Sequence, residues 1–197
     1  MTGTLYFEPT SSTEPEWMAS VWADDSVRTT EPPARNQSRI LRVNELAADT
    51  LDRIIDRGRH ESFENGYDSL LSRSIHEFIT EYGALALRLI EKKVLAHDAT
   101  ETIVEEVLQS LGHLDQPRTQ AGRRKLLERQ LFNQPTVIGR DAALAGLALL
   151  SDPAALPALR RAAEKESSLR LQDDIRKVIR ELSEGDDLGT AVQVAPK

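Results

Sequence analysis

From about residue 41 onward, apolar side chains recur at intervals of three and four residues and almost nowhere alternate strictly. A period near 3.6 gathers such residues on one side of an α-helix, whereas a half-buried strand needs a period of two, so the sequence predicts an all-α fold. Leu46, Leu51, Ile54 and Ile55 mark a first stripe, and Leu70, Leu71, Ile75, Phe78 and Ile79 a second. Leu85, Leu87, Leu89, Ile90 and Leu95 form the third, and Ile103, Val104, Val107, Leu108, Leu111 and Leu114 the fourth. Leu126, Leu127 and Leu131 follow, then residues 142–150, then Leu156, Leu159, Ala162 and Ala163, then Leu171, Ile175, Val178, Ile179 and Leu182. The breaks between stripes carry helix-end chemistry. Asp152-Pro153 offers an acceptor for orphan amides and then a proline at a first helical position, where no N–H is needed. Asp98 with Glu101 predicts a capping box ahead of Ile103, residues 133–136 separate the fifth and sixth helices, and Asn65-Gly66 predicts a turn.

Shifting the sequence against itself by 36 residues brings the stripes into register. Leu108, Leu111, Leu114 and Pro117 fall on Leu144, Leu147, Leu150 and Pro153; one copy earlier stand Ser72, Ile75, Phe78 and Glu81. Ser74, Ser110 and Gly146 are equivalent, which suits a place where two helix backbones approach closely. In the second helix of each unit Ile54, Ile90, Leu126 and Ala162 share one line, and the last helix joins after a shift of one residue. A two-helix unit cannot bury its apolar surface alone, so the units must stack.

The segment Gly139 to Arg161, with Arg140 opening a helix of small residues and leucines and Asp152-Pro153 turning into Ala-Leu-Pro-Ala-Leu, resembles HEAT repeats of the short bacterial type. The likeness is most specific over 137–182, weaker over 99–131 and weakest over 41–97. At the equivalent earlier turn, Asp115-Gln116-Pro117, no Ala-Leu-Pro follows. The resemblance implies an α-solenoid of about three to four helix pairs whose second helices line a concave, partner-binding face. A tetratricopeptide array has a similar period, but its Trp-Leu-Gly-Tyr signature is missing.

The ends read differently. Residues 1–38 hold four prolines, a Thr/Ser cluster and six acids against two arginines, a composition that predicts a disordered acidic tail ahead of a solenoid over 39–184 and a frayed terminus over 185–197. Both tryptophans lie in that tail; Trp17, Val21 and Trp22 would share one side of a short helix, with Met18 alongside, and are expected to dock on a partner or on the helical body. No apolar run is long enough for a membrane span and no basic-then-apolar signal precedes the body, so a cytoplasmic address is expected. With no cysteine there is no disulfide, thiolate nucleophile or cysteine-bound metal. The excess of arginine over lysine and the abundant alanine suit a high-GC bacterial genome.

Chemistry is sparse. His60, His76, His97 and His113 are scattered, and His76-Glu77 lacks the second histidine of a zinc-protease helix. The glycines make no phosphate cradle, so no catalytic residue, metal or cofactor is expected. The non-random polar signal is basic. At the 36-residue spacing Arg88, Arg124 and Arg160 coincide, and beside them Arg57, Lys93, Arg129 and Lys165. Both rows lie on second helices, where they would either receive an acidic protein segment or nucleic-acid backbone, or neutralise acids on adjacent helices. The expected function is a non-enzymatic protein-interaction module or adaptor. A nucleic-acid binder is a second class, opposed by 26 acids against 23 bases over 39–197. A phycobilin lyase-like or chaperone-type HEAT protein is a third.

Overall fold

A computed structural model describes the backbone of residues 34–61, 69–94 and 99–191, and side chains over 37–61, 69–94 and 99–184. The chain divides into two compact units, Met1–Ser38 and Arg39–Lys197. Every helix below lies in the second unit except the first turn of the first helix.

The described residues form helices joined by short turns, with no strand among them. In chain order they are α1 (Ala34–Gly58), α2 (Leu70–Tyr82), α3 (Ala84–Lys93), α4 (Glu101–His113), α5 (Pro117–Asn133), α6 (Val137–Leu150), α7 (Leu156–Lys165, entered through a 3-10 turn, Pro153–Ala155) and α8 (Leu169–Ala191). The eight apolar stripes thus correspond to eight helices. α1 starts at Ala34, inside the stretch expected as tail, and the α8 backbone stays helical past Ser183 to Ala191.

Local chemistry sets the turns. Asp152 accepts a hydrogen bond from the Ala154 N–H at 3.0 Å ahead of Pro153, as the sequence predicts, and Thr136 caps α6 by accepting from the Gly139 N–H at 3.1 Å. Gly83 closes α2 and opens α3 with φ +54°, a conformation that favours glycine because it has no Cβ to clash. The capping box is not the device used at α4: its N-cap is Thr100, whose side chain makes no capping bond, and Asp98 lies outside the described residues. Asn65-Gly66 lies outside them too.

Helices touch their second neighbours along the chain as well as their first. α2 packs on α4, α4 on α6 and α6 on α8, while α3 packs on α5 and α5 on α7. α1 meets α3 through Lys93, whose Nζ lies 2.5 Å from Asp52 Oδ2. One apolar cluster runs from Ala47 and Leu51 in α1 to Ile175 and Leu182 in α8. The equivalent residues of the 36-residue shift occupy it together: Leu108, Leu111, Leu144 and Leu147 from one set of helices, Ile90, Leu126 and Ala162 from the other, all buried. The expected close approach at Gly146 is present. A Cβ there would stand 2.6 Å from the Leu108 carbonyl oxygen, and a Cβ on Gly112 would stand 2.8 Å from Gly146 Cα. Gly146 therefore meets Leu108 and Gly112 of α4, while Ser110 of that helix bonds elsewhere, its carbonyl lying 2.8 Å from His76 Nε2 on α2.

Candidate binding face

The two basic rows fall on α1, α3, α5 and α7, the helices that carry the second apolar line. Within one helix the rows are five residues apart, about 140° around the axis, so they occupy different sides of its surface.

The row of Lys93, Arg129 and Lys165 is turned back toward the preceding helix of the set. Lys93 on α3 pairs with Asp52 on α1 and donates weakly to the Ala48 carbonyl. Arg129 on α5 grips Glu91 on α3 with two hydrogen bonds of 2.7 Å, the bidentate arrangement that only a planar guanidinium makes. Lys165 on α7 holds its ammonium 5.9 Å from the centre of the Phe132 ring on α5, a cation–π contact. Each of these bases is a staple between neighbouring helices. Two of them also edge open cavities: Lys93 one of about 410 Å³ with Asp52, Ile55, Asp56, Arg59 and Ala99, and Lys165 one of about 240 Å³ shared with Phe132 and Arg140.

The row of Arg88, Arg124 and Arg160 is different. Arg124 donates to Glu128 at 2.7 Å, sits 2.9 Å from Asp152 and reaches the Ala154 carbonyl, which ties α5 to the turn before α7. Its Nε faces Asp152 off hydrogen-bond alignment, so that contact is one of charge. Arg88 and Arg160 are exposed and make no hydrogen bond or ion pair among the described residues. Of the six candidate bases, then, four are answered inside the protein and two project freely. Trp17, Val21 and Trp22 lie outside the described residues.

Two polar features escape sequence reading. Arg123 is 1% exposed, within the core. It donates to the Leu111 carbonyl at 2.6 Å, the Gln116 carbonyl at 3.1 Å and the Thr119 hydroxyl at 3.3 Å. Arg140 at the start of α6 forms a fork with Glu166, at 2.8 and 3.0 Å, and also donates to the Gln134 and Pro135 carbonyls. Glu166 in turn accepts from the Ser168 N–H. The Arg140 hydrogen bond holds the Glu166 carboxyl well below its ordinary range, at about 2, against the opposing effect of burial.

The histidines do not come together among the described residues. His60 and His113 are exposed, His76 faces a backbone carbonyl, and His97 is outside the described residues. No cluster of three metal-binding side chains occurs among the described residues. Carboxylates do converge across α4 and α6: the Glu105 pKa is raised first by its own partial burial and then by Asp141, Glu101 and Glu106. No described helix is long and apolar enough to cross a membrane. Comparison of the chain with protein-family models, with curated proteins and with solved structures finds no significant match in any of the three.

Proposed function

We propose that this chain is a non-enzymatic protein-binding module, a short HEAT-like α-solenoid of three to four helix pairs whose second helices present one face to an acidic, extended segment of a partner. The observation that supports the reading is that helices two apart along the chain touch, α2 to α4 to α6 to α8 and α3 to α5 to α7, with Lys93 joining α3 to α1, in a sequence whose apolar stripes superpose on a shift of 36 residues. Stacking of this kind builds a long surface from identical units, and its usefulness lies in shape and charge.

Arg88, Arg124 and Arg160 stand on successive helices of one set. Axes of packed helices are roughly 8–10 Å apart, a distance an extended peptide covers in about three residues. A segment with a carboxylate at about every third position would meet Arg88, the partly satisfied Arg124 and Arg160 in turn. Lys93, Arg129 and Lys165 serve this face by fixing the helix spacing. A nucleic-acid backbone fits less well, because it carries a phosphate at every step and cannot avoid Glu91, Glu128 and Asp152 among the bases, whereas a peptide can set neutral residues opposite those acids.

The test uses the full-length chain as bait in a lysate of its native cells. The expected result is a bound protein that Arg88→Glu with Arg160→Glu reduces at least tenfold and that rising salt releases. Undiminished capture by that variant would overturn the assignment of the face. Short duplex DNA bound at low salt and released steeply at higher salt would favour the nucleic-acid reading. Turnover of a small compound by the purified protein would end the non-enzymatic one.

A further inference from the structure

α1 is 25 residues long and its neighbour α3 is 10, roughly 37 Å against 15 Å. Its C-terminal half buries Ala47, Leu51 and Ile55 in the core. Ile40 and Val43 precede Ala47 by seven and four residues, so they extend that same stripe, yet they are 53% and 43% exposed. Leu41 and Leu46 are exposed beside them. A core-like stripe therefore runs on into solvent over about two turns.

Its charge says what would cover it. Arg39 and Arg42 are exposed, make no ion pair among the described residues, and share the Val43 and Leu46 side of the helix at spacings of three and four. No acid stands between positions 37 and 44. A second copy of this helix would bring like charges together, whereas an acidic segment would be attracted along the Val43 and Leu46 side, Glu45 lying on the opposite, Leu41 side. Residues 14–25, Glu-Pro-Glu-Trp-Met-Ala-Ser-Val-Trp-Ala-Asp-Asp, have that chemistry: Trp17, Met18, Val21 and Trp22 at helical spacing between two pairs of acids, with no base. We infer that the exposed stripe of α1 docks an acidic segment with bulky apolar anchors, the chemistry that residues 14–25 of this same sequence carry. This surface is separate from the Arg88–Arg160 row, and its test does not depend on that row.

Trp17 and Trp22 are the protein's two tryptophans, so the emission of the full-length chain reports on that segment alone. The expected emission is blue-shifted relative to free tryptophan and shielded from iodide, and both properties are lost in Ile40→Glu with Val43→Glu. In Arg39→Glu with Arg42→Glu the shift is reduced and no longer salt-sensitive. All four positions are exposed, and circular dichroism checks that each variant stays helical. A shift independent of protein concentration assigns the docked segment to the same chain; a concentration-dependent one assigns it to a second copy. If the emission is that of water-exposed tryptophan, a labelled peptide of residues 12–27 titrated into the full-length protein is expected to bind saturably, and at least tenfold more weakly to either double variant. Water-exposed emission together with no saturable peptide binding would overturn the inference, as would emission and binding unchanged in both variants.

Discussion

Arg123 shows how one side chain can replace a turn motif. The 36-residue shift aligns it with Leu87 and Leu159, both buried, so the repeat assigns it an apolar site. At the equivalent turn between α6 and α7, Ser151 takes the left-handed conformation and its N–H bonds the Leu147 and Ala148 carbonyls. The turn between α4 and α5 has no such residue, and Arg123 answers the Leu111 and Gln116 carbonyls from the next helix instead. Burial lowers its pKa while Asp115 opposes the shift. Arg123→Met would take from the Leu111 carbonyl its donor in the interior, while the Gln116 carbonyl keeps the Thr119 N–H, and a loss of about 2 kcal/mol is expected, measurable by urea unfolding, with hydrogen exchange accelerated around residues 112–118. The Arg140–Glu166 fork has a different signature. Glu166 titrates lower in the folded protein than in the unfolded chain, so its contribution is complete above about pH 4.5 and disappears as pH falls toward 2. At neutral pH the ionised Glu166 therefore stabilises the fold, through the Arg140 fork and the backbone N–H groups of Ser167 and Ser168 together. Glu166→Gln should lower stability at pH 7 and remove that part of the acid limb, which stability curves at pH 7, 4 and 3 would resolve. A parallel offset at all three would contradict the assignment.

At the level of helices, the sequence is a faithful guide where burial is apolar and periodic. All eight stripes became helices, and the alternation that the self-shift assigns is the one in which α2, α4, α6 and α8 touch in turn. Gly146 was legible too, since a small residue in a leucine-rich helix implies close approach. Its substitution is therefore informative: with Leu108 O 2.6 Å from the new Cβ, Gly146→Ala forces α4 and α6 apart. A cost of about 1–3 kcal/mol is expected from the overpacking, and a thermal midpoint equal to or above the parent would contradict the packing. What the sequence did not disclose has a common physical cause. Arg123 and Gln130 are polar residues on the buried side of α5, and polarity alone assigns them to the surface. The partners Arg140 and Glu166 are 26 residues apart, a spacing that no helical period connects. The basic rows were legible as rows, but whether a lysine points to solvent or back to Asp52 depends on where the neighbouring helix puts its acid.

For the Arg39–Lys197 body as a whole, the central claim is that helix pairs add on in one direction without closing into a bundle. Asp56, Lys92, Lys125 and Glu164 are exposed or half-exposed on α1, α3, α5 and α7 and are not among the staples between helices. Because the chain has no cysteine, single pairs can be introduced and spin-labelled without background. The decisive measurement is the set of pulsed-resonance distances from Asp56→Cys to Lys92→Cys, to Lys125→Cys and to Glu164→Cys in the full-length protein. An open stack gives distances that grow by even steps of roughly 10 Å, one helix separation at a time. A distance from position 56 to position 164 as short as that from 56 to 92 would mean a closed bundle, and would contradict the account.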